Sequence, residues 1–307
     1  MKSIAENVNY FLDKNIGLND KHFMLLVSVK MILLIHLFSV SELWLNSIMA
    51  PILFVPGILL DRVAINKYYI SFLTLIFLFI YLIFDLSQRI PNHKHLYTYT
   101  LILVTIVLFV RSRRGDWSFL YTKSSRIIIG LCFLFATLGK FLAPEFLDSS
   151  FFEFYLLTDS RFFEFTTIIG GVNPNELYDI RAGYSILYTN DPYNYSTALY
   201  PSEWITFLSH FLTYWTILIE GSIALTFLSK EGSILYRFRN IFLLIFMVTT
   251  YPIATVPGFA MILAVLAFVQ SYKDGKSTIF TYLFILIFIL IPLSNLPFDI
   301  IYNKVTS

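Results

Sequence analysis

Apolar residues in this chain fall in long unbroken runs, with the polar residues gathered between them, a pattern of buried or membrane-spanning helices rather than of half-buried strands. A helix needs about 20 such residues to cross a hydrocarbon layer of about 30 Å. Residues 23–44 predict a first span, closed by Trp44 as an interfacial anchor. Residues 49–60 are too few for an ordinary span and carry Pro51, Pro56 and Gly57, which predicts a re-entrant or thin, irregular segment covered by protein. Residues 68–84 and 96–110 predict spans two and three. A fourth starts near Arg126 and reaches Lys140, and a fifth occupies 204–228. The run 240–269 exceeds the length of one crossing and is interrupted by Pro252 and Pro257, so it predicts two short spans; a last one covers 279–296. The expected fold is all-α, a polytopic transmembrane helical bundle of about eight spans, or nine if 49–60 crosses. It forms a single integral membrane domain over 1–307.

Composition agrees with that pattern, since 57% of residues are hydrophobic and 14% charged, where a soluble domain carries about 25% charged. The net charge of +2 matters less than its distribution. Residues 111–126 hold Arg111, Arg113, Arg114, Lys123 and Arg126 against Asp116, which places that loop on the cytoplasmic side. Residues 144–203 hold nine acids against Arg161 and Arg181 and read as a long outer loop of turns and short helices lying over the membrane surface. Asn194-Tyr195-Ser196 within it fits a glycosylation triplet. Outside the apolar runs no basic patch with interleaved aromatics occurs, which argues against nucleic acid and leaves the bilayer as the immediate partner. The single Cys132 forms no intramolecular disulfide, and no His or Cys cluster has zinc spacing, so no metal is expected. His93 and His95 have the spacing of a loop pair. Residues 1–22 read as an interfacial or soluble lead-in without a cleavable signal.

Charges inside apolar runs are costly and mark either pairing or function. Depths counted at about 1.5 Å per residue from span midpoints put Lys30 and Glu220 in one cytoplasmic-side layer, where they are expected to form a structural ion pair. The same count puts Lys140 and His210 in an outer layer with no carboxylate among the spans. Lys140 is therefore the candidate base and His210 a candidate second proton-transfer group, set against a lysine that snorkels to the interface and a histidine that merely packs. A carrier gives a different reading, with Lys30, His36 and Glu220 lining a proton or solute route. A third is a structural subunit that holds a partner through 144–203.

The segment LFATLGKFLAPEFLDSSFFEFYLLTDSRF resembles the HTTM family, membrane domains similar to vitamin K-dependent gamma-carboxylase. Thr137, Leu138, Gly139, Lys140 and Phe141 match its small-residue, Gly, Lys, Leu pattern. TYWTILIEGSIALTFL resembles the family's acidic helix through Glu220, and RFRNIFLLIF its basic turn and next span. Phe146 and Ser149 stand where the family has Trp and Gly. The similarity covers about 25–270. It implies an HTTM-like core around the 144–203 loop in a bacterial inner (cell) membrane, with Lys140 as the base in a polar cavity that opens to the outer face. It further implies a lipid-soluble quinone as cofactor or an exported peptide as partner at that face.

Overall fold

The computed structural model describes residues 21–39, 44–85, 92–189, 199–254, 256–272 and 278–294. The N-terminal lead-in, the triplet at Asn194-Tyr195-Ser196 and the loop with Lys273 and Lys276 lie outside the described residues. In chain order the helices are α1 (Lys21–Ser39), α2 (Trp44–Leu59), α3 (Asp61–Ala64), α4 (Lys67–Asp85), α5 (Asn92–Ser112), α6 (Trp117–Leu142), α7 (Pro144–Leu147), α8 (Ser150–Thr158), α9 (Phe163–Ile168), α10 (Pro174–Thr189), α11 (Glu203–Leu228), α12 (Ile234–Thr250), α13 (Pro257–Ser271) and α14 (Ile279–Ser294). No strand occurs among the described residues. Four helices, α1, α5, α6 and α11, are long and apolar enough to cross a membrane, while α2, α4, α13 and α14 are shorter apolar helices. This is the helix content of an integral membrane protein.

Helix boundaries differ from the expected spans for local reasons. α6 starts at Trp117 inside the expected cytoplasmic loop, because the Asp116 carboxylate accepts the Phe119 N–H at 3.3 Å and caps the first turn. α12 likewise starts before the apolar run, capped by Ser233 through the Tyr236 N–H, so Arg237 and Arg239 are helical. His93 and His95 fall in the first turn of α5, not in a loop. Trp44 opens α2 rather than closing α1. The prolines of the expected irregular segment do not break it, since α2 runs continuously through Pro51 and Pro56. A proline leaves the carbonyl one turn earlier without its helical donor. For Pro56 that carbonyl is the one of Ile52; the Tyr69 hydroxyl donates beside it, to the Leu53 carbonyl. The split of 240–269 into two helices is present, with residues 251–256 between them and Pro257 at the first position of α13, where its missing N–H costs nothing.

Contacts divide the chain into two compact units, Met1–Ile129 with Pro257–Ser307, and Gly130–Val256. In the first unit, α13 packs against α1, α5 and α14. Every residue from Ala260 to Tyr272 is buried, as required of a helix that is apolar on all sides. A hydroxyl chain crosses the same unit: Tyr121 donates to Ser28 Oγ at 3.0 Å, and Ser28 donates to the Leu25 carbonyl at 2.9 Å.

In the second unit, α6 and α11 run antiparallel. Gly130 lies against Leu228 and Phe227, and Thr137 against Gly221. Residues 144–189 form short helices as expected, but α7 and α8 pack along the first half of α11. There Phe146, Phe152, Leu156 and Phe162 join Ile205, Leu208 and Leu212 in one buried cluster. Gly170 closes this segment against α11. A Cβ there would sit 2.5 Å from the Thr166 carbonyl oxygen and 2.9 Å from Ile205. Gly170→Ala is therefore expected to lower stability by about 2 kcal/mol. Gly139→Ala meets nothing within 4 Å in α6 and is expected to be neutral or stabilising by up to about 1 kcal/mol. Thermal unfolding of the two variants in detergent checks the contrast.

Candidate functional site

The most enclosed charges among the described residues sit where α6 ends beside α11. Lys140 occupies the last turn of α6, and its ammonium donates to Glu220 Oε2 at 2.5 Å. Only 17% of the lysine side chain and 10% of the glutamate side chain are exposed. The ammonium also lies 5.3 Å from the centre of the Phe146 ring, an attraction worth more where water is excluded. An apolar helix on one side, another across from it and an aromatic ring over the end thus hold one cation against one anion.

Two expectations are corrected here. Lys30 does not pair with Glu220, because its ammonium meets Asp61 Oδ1 at 2.5 Å, at a more open position. Lys140 is not without a carboxylate, because Glu220 is its partner. The second error comes from the assumption that helices cross with their midpoints level. The contacts of Gly130, Thr137 and Lys140 with Leu228, Gly221 and Glu220 show that the end of α6 lies beside the middle of α11. The space beside the first half of α11 is taken by α7 and α8.

A recess of about 510 Å³ lies between α6 and α11 near the start of α12, lined by Leu134, Thr137, Leu138, Gly221, Ala224 and Leu225 among others. It is apolar, where a polar cavity was expected. Thr137 and Gly221 bring it to within a turn of the Lys140 and Glu220 pair. Gly221 holds it open, since its position next to Glu220 carries no side chain.

The other candidate residues are held separately. His210 lies on an exposed face of α11, and its Nδ1 is 2.8 Å from Ser149 Oγ. Ser149 is buried at 1% exposure and has φ of 71°, a left-handed backbone that a non-glycine residue adopts only under constraint. The sequence reading missed Ser149 as a partner. Its one signal was its place where the resembled family has Gly, the residue such a backbone favours. Next to it, hydrogen bonds from Ser150 hold the Asp148 carboxyl below the usual carboxylate range, with His210 adding to the effect.

His36 is fully buried in the first unit. Its Nδ1–H donates to the Ile32 carbonyl at 2.8 Å, and its ring lies 4.5 Å from Phe77, 5.5 Å from Tyr97 and 5.7 Å from Phe54, centre to centre. Lys30, His36 and Glu220 are each engaged with other groups, and among the described residues no three His, Cys, Asp or Glu side chains converge as metal ligands.

An arginine clasp fastens the short helices beside the site. Arg161 grips the Asp159 carboxylate through Nε at 2.9 and 3.1 Å and through Nη2, while Arg181 donates from α10 to the carbonyls of Asp159 at 2.8 Å and Leu157 at 3.2 Å. Burial works against ionisation of Asp159, but the Arg161 contacts outweigh it and hold the carboxyl below its ordinary range.

The class defined by fold and site is an all-helical protein with membrane-spanning helices and an ion pair enclosed between two of them. No protein-family model, no curated protein and no solved structure matches the chain.

A carboxylate with a depressed folded pKa contributes stability above its unfolded value, near pH 4, and that contribution is lost as pH falls through the folded value. Amide exchange in α8 and α10, followed downward from about pH 5, is expected to speed up on this acid side in the wild type. Asp159→Asn is expected to exchange faster already at neutral pH and to lose the acid-side step.

Proposed function

We propose that this chain is an HTTM-like integral membrane protein of about eight crossings in a bacterial inner membrane, whose Lys140 and Glu220 pair exchanges protons with a lipid-soluble ligand. The observation that carries this reading is the 2.5 Å contact between the two side chains in a nearly closed, apolar setting. In water the ionised pair is strongly favoured. In a medium of low dielectric constant the charged pair loses solvation, and the neutral form, an amine beside a carboxylic acid, lies closer in energy. A proton passed from Lys140 to Glu220 leaves a neutral amine, which is a base, without releasing a proton to bulk water. The lysine as working base is thus kept, now with a carboxylate as its proton reservoir.

Among ligands, the apolar recess favours the isoprenoid tail of a quinone over an exported peptide. Thr137, Gly221 and Ala224 would hold the tail, and such a quinone supplies electron exchange when bound. His210, exposed and oriented by Ser149, is a second group able to relay a proton.

Four variants of the full chain in lipid nanodiscs test the proposal. Lys140→Met and Glu220→Met each leave one buried charge uncompensated and are expected to lose about 3–5 kcal/mol of stability, while the double variant regains most of it. Lys140→Arg is expected to keep the pair and the fold but to lose the quinolate absorbance that develops when decylquinol binds anaerobically and passes a hydroxyl proton to the neutral Lys140 amine, because guanidinium does not give up its proton. If Lys140→Arg or the double variant gives the wild-type quinolate absorbance with decylquinol, the proposal is wrong.

A further inference from the structure

At one end of the first unit the fold gathers basic residues that the chain keeps apart. The Lys67 ammonium, at the start of α4, donates to Ser112 Oγ at the end of α5 at 3.3 Å. The same ammonium lies 5.1 Å from the ring centres of Tyr68 and Phe109. Arg111, one residue earlier than Ser112, lies 5.8 Å over the ring of Trp117, which opens α6. Between them the turn carries Arg113 and Arg114, both exposed, with Arg114 at φ of 59°. Lys123, two turns into α6, is exposed and stacks 5.2 Å over Phe119. The acids nearby are committed elsewhere, Asp61 to Lys30 and Asp116 to the first turn of α6. Exposed aromatic surface is interleaved with the cations, Tyr68 at 70% and Phe119 at 54%, which corrects the expectation that no basic patch carries interleaved aromatics.

We propose that this rim, formed by Lys67, Arg111, Arg113, Arg114 and Lys123, is a binding surface for the headgroups of anionic phospholipids. Three features favour that occupant over a soluble one. Four of the five cations stand at or near the joined ends of α5 and α6, both long and apolar enough to cross a membrane, where headgroups lie. Exposed aromatic rings between them suit the boundary between headgroups and acyl chains. Several arginines in one turn present forked donors matched to phosphate, which lysine offers only as a point charge. Basic clusters next to a span attract acidic lipid within a Debye length of the surface. The inference goes beyond orientation, because the charge rule needs only the number of cations in the loop, whereas lipid selectivity depends on their gathering at this corner. It does not rest on the proton-exchange reading of the second unit.

The test is lipid selectivity of the full chain reconstituted in vesicles of phosphatidylcholine with a minor fraction of phosphatidylglycerol, followed by gentle detergent extraction and mass spectrometry of the retained lipid. The wild type is expected to retain phosphatidylglycerol enriched several-fold over the mixture, and enrichment is expected to decline with added salt. R113Q/R114Q/K123Q, which alters exposed side chains alone, is expected to fold normally and to retain lipid at the composition of the mixture. R113K/R114K is expected to keep part of the enrichment. Free glycerol phosphate is expected not to displace the retained lipid, because one small anion does not span the rim. The proposal fails if the wild type shows no enrichment or if the triple glutamine variant enriches equally. It also fails if glycerol phosphate displaces the lipid, which would mark a soluble phosphate site, or if an acidic peptide binds the rim in vesicles of phosphatidylcholine alone.

Discussion

A charge within apolar helices must find an opposite charge or leave the helix layer, and the described parts of this protein are arranged to meet that demand. Lys30 in α1 reaches Asp61, the first residue of α3. Lys140 at the end of α6 reaches Glu220 in the middle of α11. The two pairs differ in enclosure. Lys30 and Asp61 are 28% and 60% exposed, so water shares their solvation and the pair adds little stability. Lys140 and Glu220 are largely out of water, and each is the other's main compensation.

The position of the second pair governs the rest of its unit. Matching Lys140 to Glu220 ends α6 halfway along α11 and leaves the first half of α11 bare. The chain covers it with α7 and α8, which is why Phe146, Phe152 and Leu156 are buried against Ile205, Leu208 and Leu212. The sharp return after α7 requires the left-handed backbone at Ser149, and the same turn carries Ser149 Oγ to His210. The arginine clasp at Asp159 then fixes α10 to the end of α8. One charge contact thus determines where an aromatic cluster, a strained turn and a histidine contact form.

The helical character of this fold was legible in the sequence, because long apolar runs have few outcomes other than helices, while only four helices among the described residues reach crossing length. The charged residues of interest were legible one at a time for the same reason, since Lys140 and Glu220 stand out against their surroundings. Their pairing was not. Pairing depends on the stagger of two helices, and stagger is set by packing of the connecting segment, which leaves no periodic mark. Helix starts were missed at Trp117 and Ile234 because capping by Asp116 and Ser233 extends helices into polar sequence. The prolines of α2 misled for the opposite reason, as an apolar helix packed against α1 runs on through both of them. Two histidines in apolar runs looked alike, yet His36 is closed in by three aromatic rings and His210 is exposed beside a serine.

The enclosed pair is hard to explain by stability. A buried ion pair replaced by apolar side chains of similar volume often leaves a protein as stable or more so. α13 provides the contrast within the same chain, a helix buried on all sides with no charge from Ala260 to Tyr272. Where the only demand is packing, this protein uses apolar residues throughout. A lysine and a glutamate kept at the edge of an apolar recess therefore point to a use for the charges themselves. Register is one such use, since mispaired helices would strand both charges. Register alone does not require a recess against the pair, and the glycine next to Glu220 keeps that recess open at a position where any larger side chain would reach toward Thr137.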